Sequence, residues 1–181
     1  MRRTQAAGSP LGAEVWRVLA WVGVLLIAAL LALVWMAGRS ALVWALGIFL
    51  VASLGIQLLK DKLPSLFIFL LVLAALLNGA GGTFDWFNAY PWFDELVHVY
   101  TGFAGLSAIG YLHALNVNPG RAQLVGWCAG MGLALGIGWE MIEGLVGDLG
   151  FVDTLSDLVL DTAGAALGGL FAWHALRAVR T

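Results

Sequence analysis

Three groups of ionisable residues stand in otherwise apolar sequence: Asp94, Glu95 and His98; Glu140 and Glu143; and Asp153, Asp157 and Asp161. Carboxylates with one imidazole make an oxygen-rich donor set suited to a divalent metal ion, with Mg, Mn or Ca favoured by the carboxylate excess and Zn less so. Residues four apart share a helix face, so Asp94, His98 and Gly102 would form one stripe and Asp153, Asp157 and Asp161 another. Glu140 and Glu143, three apart, point the same way. The spacing matches none of the strong zinc or calcium signatures. We therefore expect His98, Glu140, Asp153, Asp157 and Asp161 as metal ligands, with Glu143 or Asp94 as a general base.

The elements that must position these groups are membrane helices. With 181 residues, 61% of them hydrophobic and 11% charged, and a mean hydropathy of +0.92, the chain has too little polar surface to cover a water-soluble globule. A hydrocarbon core about 30 Å thick needs about 20 apolar residues per helix, and such stretches recur. The sequence predicts an all-α, polytopic membrane helical bundle of about six transmembrane helices, forming a single domain over residues 15–181. Spans are expected at about 15–37, 41–59, 64–80, 94–115, 122–143 and 153–179. A polar arm over residues 1–14 reads as disordered and cytoplasmic. Residues 81–93, rich in Phe, Trp and Tyr, suit the headgroup layer. Arg2 and Arg3 give a basic start, but the apolar stretch 18–37 exceeds the usual signal-peptide core of about 7 to 15 residues, so it reads as a retained anchor.

Charge sets the orientation. With both termini cytoplasmic, Arg2, Arg3, Arg17, Lys60, Lys62, Arg121, Arg177 and Arg180 all fall inside and only Arg39 outside, as the retention of positive residues on the cytoplasmic side demands. In that topology all three acidic groups converge on the extracytoplasmic half. Asp161 would lie deepest, about 12 Å along the helix from Asp153. A lone carboxylate there costs about 3 kcal/mol and several together also repel, so the set calls for a bound cation, shared protons or a water-filled cleft. The net charge of −2 hides opposite charges sorted to opposite faces, and nucleic acid is not an expected partner. The single Cys128 excludes an intrachain disulfide.

Structural roles stand beside these chemical ones. Asp94 and Asp153 would serve equally as helix N-caps, Glu95, Asp85 and Asp148 as solvated loop residues, and His98 as a core imidazole bonded to a carboxylate. Gly126 with Gly130, Gly132 with Gly136, and Gly164 with Gly168 each give the spacing that lets helix backbones approach, for intramolecular packing or homo-oligomer contacts.

Along Phe93–His98 with Gly102, Gly138–Glu143, and Asp153–Asp161 with Gly164 and Ala165, the chain resembles the YjdF family of uncharacterised bacterial inner-membrane proteins and, more distantly, the VanZ-like family associated with glycopeptide resistance. The resemblance covers roughly the second half. It implies location in the bacterial inner membrane and a polar core at Asp94, His98, Glu140, Glu143, Asp157 and Asp161. It supplies no established reaction, and VanZ-like members tend to carry fewer acids in the last helix.

Three functions fit: a membrane enzyme acting on a lipid or lipid-linked headgroup, a proton- or cation-coupled transporter, and a non-enzymatic binding or assembly protein. Against transport, residues 1–90 and 91–181 show no strong repeat, whereas many transporters have paired halves. The topology predicts that a single cysteine placed at Gly144 or Val152, in a Cys128→Ser background, reacts with an impermeant thiol reagent on intact cells. Protection until permeabilisation would place the acids on the cytosolic side.

Overall fold

The computed structural model describes residues 10–146 and 150–180; most of the expected N-terminal arm and Asp148 lie outside the described residues. Among the described residues the regular elements are all helices: α1 (Pro10–Met36), α2 (Ser40–Gln57), α3 (Ser65–Phe84), α4 (Trp86–Ala89), α5 (Pro91–Val117), α6 (Arg121–Val146) and α7 (Phe151–Arg180). Pro10 and Pro91 open their helices, where the missing N–H removes a donor that has no intrahelical partner. Between its ends a helix bonds its backbone groups along its own length, the arrangement that a solvent without hydrogen bonds requires.

Five helices are long and apolar enough to cross a membrane: Leu11–Met36, Ser40–Gln57, Ser65–Phe84, Arg121–Leu145 and Phe151–Ala178. The expected fourth span, within α5, is not among them. At 27 residues α5 is long enough, about 40 Å, but it carries Asp94, Glu95, His98, Thr101, Ser107 and Asn116, which lower its apolarity. Elsewhere the outward faces are greasy. Leu25, Trp35, Trp44, Ile48 and Val51 are all exposed, as suits contact with lipid tails rather than water.

The chain divides into two compact units, Met1–Asp94 and Glu95–Thr181. In the first, α1 packs on α2 and α3, and those two pack on each other. Val24, Ile27, Leu30 and Val34 of α1 meet Leu46 of α2 and Val72 and Ala80 of α3 in its core. Gly38 takes a left-handed φ of 68° in the turn after α1. The Arg39 that follows donates from Nη1 to the Thr83 carbonyl at 2.6 Å and from Nη2 to Gly82 at 3.2 Å. A guanidinium at a helix C-terminus satisfies free carbonyls and complements the dipole. That contact accounts for the one basic residue on the acidic side of the charge pattern. After α3, Asp85 adopts a left-handed φ of 60°, and Phe87 and Trp86 turn their edges to Phe93 at 5.3 and 5.4 Å. The aromatic segment is therefore a helical turn and two helix ends rather than an extended strip.

In the second unit α5, α6 and α7 pack on one another, with His113 of α5 stacked on Trp127 of α6 at 4.0 Å. A Cβ built on Gly168 would stand 2.6 Å from the Phe103 carbonyl oxygen, one on Gly102 2.6 Å from that of Asp161, and one on Gly164 would collide with the Val99 carbonyl. These contacts, four residues apart on both helices, make α5 and α7 a parallel pair at backbone contact. Against α6, Gly132 meets Ala165, Gly136 meets Asp161 and Gly169 meets Cys128, an antiparallel register. The expectation for Gly132, Gly136, Gly164 and Gly168 is met. Gly126 and Gly130, however, face open space with nothing within 4 Å, so their spacing belongs to an outer face.

Gly164→Ala should consequently lower stability by about 2 to 3 kcal/mol, because the added methyl meets backbone that has no rotamer to yield. Gly126→Ala should be neutral or stabilising by up to about 1 kcal/mol through helix propensity. Thermal melts in detergent compare the two.

Candidate metal centre

Asp94 sits in the first turn of α5, where a carboxylate suits the helix N-terminus, and His98 follows one turn later on the same face. The division between the units falls inside this unbroken helix, so Asp94 is held relative to His98 by the helix itself. From α7, Asp157 and Asp161 come one turn apart. His98 Nδ1 lies 3.2 Å from Asp161 Oδ1, and His98 Nε2 lies 3.8 Å from Asp157 Oδ2. Asp94, His98 and Asp157 each offer a ligand atom, all within 4.8 Å of one another.

These positions follow from the register of the parallel helices. Asp94 stands level with Asp157 and His98 with Asp161, and in the next layer Gly102 meets the α7 backbone at Asp161 and Ala165. On the α6 side, Gly136 lies against Asp161 and Gly132 against Ala165. Carried one turn outward, the same antiparallel register sets Glu140 opposite Asp157. The polar layers thus rest on a floor of Gly102, Gly132 and Ala165, where backbones come too close to admit larger side chains.

Burial makes the group expensive. Exposure is 8% for His98, 5% for Glu140, 3% for Asp157 and 9% for Asp161. Glu140 Oε1 is buried with no hydrogen-bond partner among the described residues, and a buried acceptor left unmatched costs about 1 to 3 kcal/mol, more when charged. The arginines of this unit, Arg121, Arg177 and Arg180, belong to the opposite helix ends. A divalent ion would answer the deficit: octahedral binding at about 2.0 to 2.1 Å sets ligand atoms roughly 3 to 4 Å apart, and the ligand atoms of Asp94, His98 and Asp157 lie within 4.8 Å of one another. With Asp161 accepting from Nδ1, the imidazole would turn Nε2 toward Asp157 and Asp94, the usual carboxylate–histidine support of a metal ligand.

The expected residues separate accordingly. His98 and Asp157 come together with Asp94, which was expected as a base or cap. Asp161 joins through His98, so its geometry is that of a residue that orients the ligand. Glu140 is placed opposite Asp157 by helix register. Glu143 is half-buried one turn further out, and Asp153 is exposed in the first turn of α7, outside the Asp94–His98–Asp157 group. The sequence reading missed Gly136 as part of the site. Its glycine spacing was visible, but only the register shows that its missing side chain makes room for the Asp161 carboxylate, 2.6 Å from where a Cβ would stand.

Glu140→Gln, which keeps shape and removes a buried charge, should raise the melting temperature of chelator-treated protein by a few degrees. A lower melting temperature would mean that the carboxylate is already matched.

Among known proteins, the family described as "predicted membrane protein (DUF2238)" matches residues 18–178, in accord with the YjdF resemblance of the acid-bearing segments. No curated protein and no solved structure matches the chain. A match over nearly the whole length, to helices apolar enough to span a membrane, places this chain in the DUF2238 family of membrane proteins.

Proposed function

We propose that this multi-pass membrane protein binds a divalent metal ion through Asp94, His98, Asp157 and Glu140 and is a membrane enzyme acting on a lipid or lipid-linked headgroup. The observation that carries this reading is the convergence of Asp94, Asp157 and Asp161 on one imidazole, with the unpartnered Glu140 oxygen opposite. A divalent ion held there would polarise a phosphoryl or carbonyl oxygen. Glu143, half-buried one turn from Glu140 and outside the ligand set, would serve as general base, and Asp161 would hold the His98 tautomer. Asp153, exposed one turn above Asp157, would meet the incoming headgroup or a second ion.

In this reading α5 is the fourth of six spans, its polar face turned to α7, and the termini lie in the cytoplasm of a bacterial cell whose inner membrane houses the protein. The acids then face the outer leaflet. Transport is the weaker alternative: no Asp or Glu follows Asp161 in α7, follows Glu95 in α5 or precedes Glu140 in α6, and the small-residue floor closes the site below. An assembly role without a metal remains the third reading, and metal analysis separates it from the first.

Protein purified without chelator should carry about one equivalent of Mg, Mn, Ca or Zn and show a metal-dependent thermal shift. Asp157→Asn and His98→Ala should abolish both, whereas Asp161→Asn should weaken affinity about 10- to 100-fold. Metal-free protein with no thermal shift from any of the four ions would end the proposal.

A further inference from the structure

At the end of the second unit away from the acids, α6 begins and α7 finishes with a cluster of a different kind. The Arg121 guanidinium lies over the Trp173 ring at 5.6 Å and that of Arg177 at 4.7 Å. Two like charges are held on one indole. Each gains from the electron-rich face of the ring. Arg121 is exposed and has no carboxylate partner among the described residues. The arrangement therefore favours an anion at Arg121, bound by charge-assisted hydrogen bonds and attracted also by the second positive charge on the same indole.

From Arg121 an apolar groove of about 700 Å³ runs between the two helices, lined by Val125 of α6 and by Ala163, Ala166, Leu167 and Leu170 of α7. Its volume falls among those of small-molecule sites. Its length is more telling. Seven residues separate Ala163 from Leu170 on α7, about 10 Å at 1.5 Å per residue, most of one leaflet's half of a hydrocarbon core about 30 Å thick. A positive end and an apolar trough of that length are complementary to a lipid with a negatively charged headgroup.

We infer that the α6–α7 groove is a binding site for an anionic phospholipid, its phosphate held by Arg121, with Arg177 on the same Trp173 ring adding positive charge, and one acyl chain lying along Val125, Ala166 and Leu170. By the charge pattern this is the cytoplasmic leaflet, so the lipid is distinct from any substrate of the acidic centre. The site does not rest on the metal reading. Basic pockets between spans on that side suit such headgroups, and each arginine near the surface contributes roughly a factor of five in affinity.

The test is native mass spectrometry of delipidated protein titrated with phosphatidylglycerol and with phosphatidylcholine of the same chains. Wild type should prefer phosphatidylglycerol roughly 30-fold. The Arg121→Gln/Arg177→Gln double variant should lose that preference, and Arg121→Lys/Arg177→Lys should retain most of it. Ala163→Phe, which fills the trough from an exposed position, should weaken both lipids without changing their ratio. Glycerol phosphate, which lacks the chains, should not displace phosphatidylglycerol at equal concentration. Equal binding of the two lipids, an undiminished preference in the double glutamine variant, or full displacement by glycerol phosphate would overturn the inference.

Discussion

Carboxyl groups buried among apolar helices cost several kcal/mol each unless something offsets the desolvation of their charge, and the second unit is organised around that cost. His98 is placed where it can serve two acids at once, with Asp161 on one ring nitrogen and Asp157 near the other. For α5 and α7 to bring these short side chains together, their backbones must nearly touch. Glycine at positions 102, 164 and 168 makes that approach available. Chemistry and packing are thus one problem here: the polar layer exists because the layers beneath it contain almost no side chain.

The first unit solves a different problem with more ordinary means. Branched and leucine side chains fill its core, and the main polar device is Arg39, whose two bonds finish α3. A basic residue in that place looks like a violation when loops are counted for charge. It is resolved once the free carbonyls of a helix end are considered, since they need a donor more than the loop needs neutrality.

Much of this was legible in the sequence because membrane helices obey few rules. The positions of five of the apolar helices follow from apolar length, and the shared faces of Asp94 with His98 and of Asp157 with Asp161 follow from helical periodicity alone. What the sequence could not supply was the register between helices. Gly126 and Gly130 have the same spacing as Gly164 and Gly168, yet the first pair faces outward and the second meets backbone. Spacing records which residues share a face, and only packing shows which face is used. The same limit explains Asp153 and Asp94: both begin helices, but the one on α5 is turned toward α7 and the one on α7 is exposed. The polar character of α5 likewise follows from its partnership, since a helix whose polar side is covered by a neighbour need not be apolar all round.

Gly136 carries an implication for inheritance. Where its hydrogen stands, a methyl would meet the outer carboxylate oxygen of Asp161 at 2.6 Å, and that carboxylate holds the imidazole by its other oxygen. An alanine allele here would keep every charged group in the chain and every span hydrophobic, while twisting the ring that the neighbouring acids surround. Disabling variants of this protein are therefore not confined to its polar residues, and a surveyor of natural variation who weighs only charge changes would pass over this one.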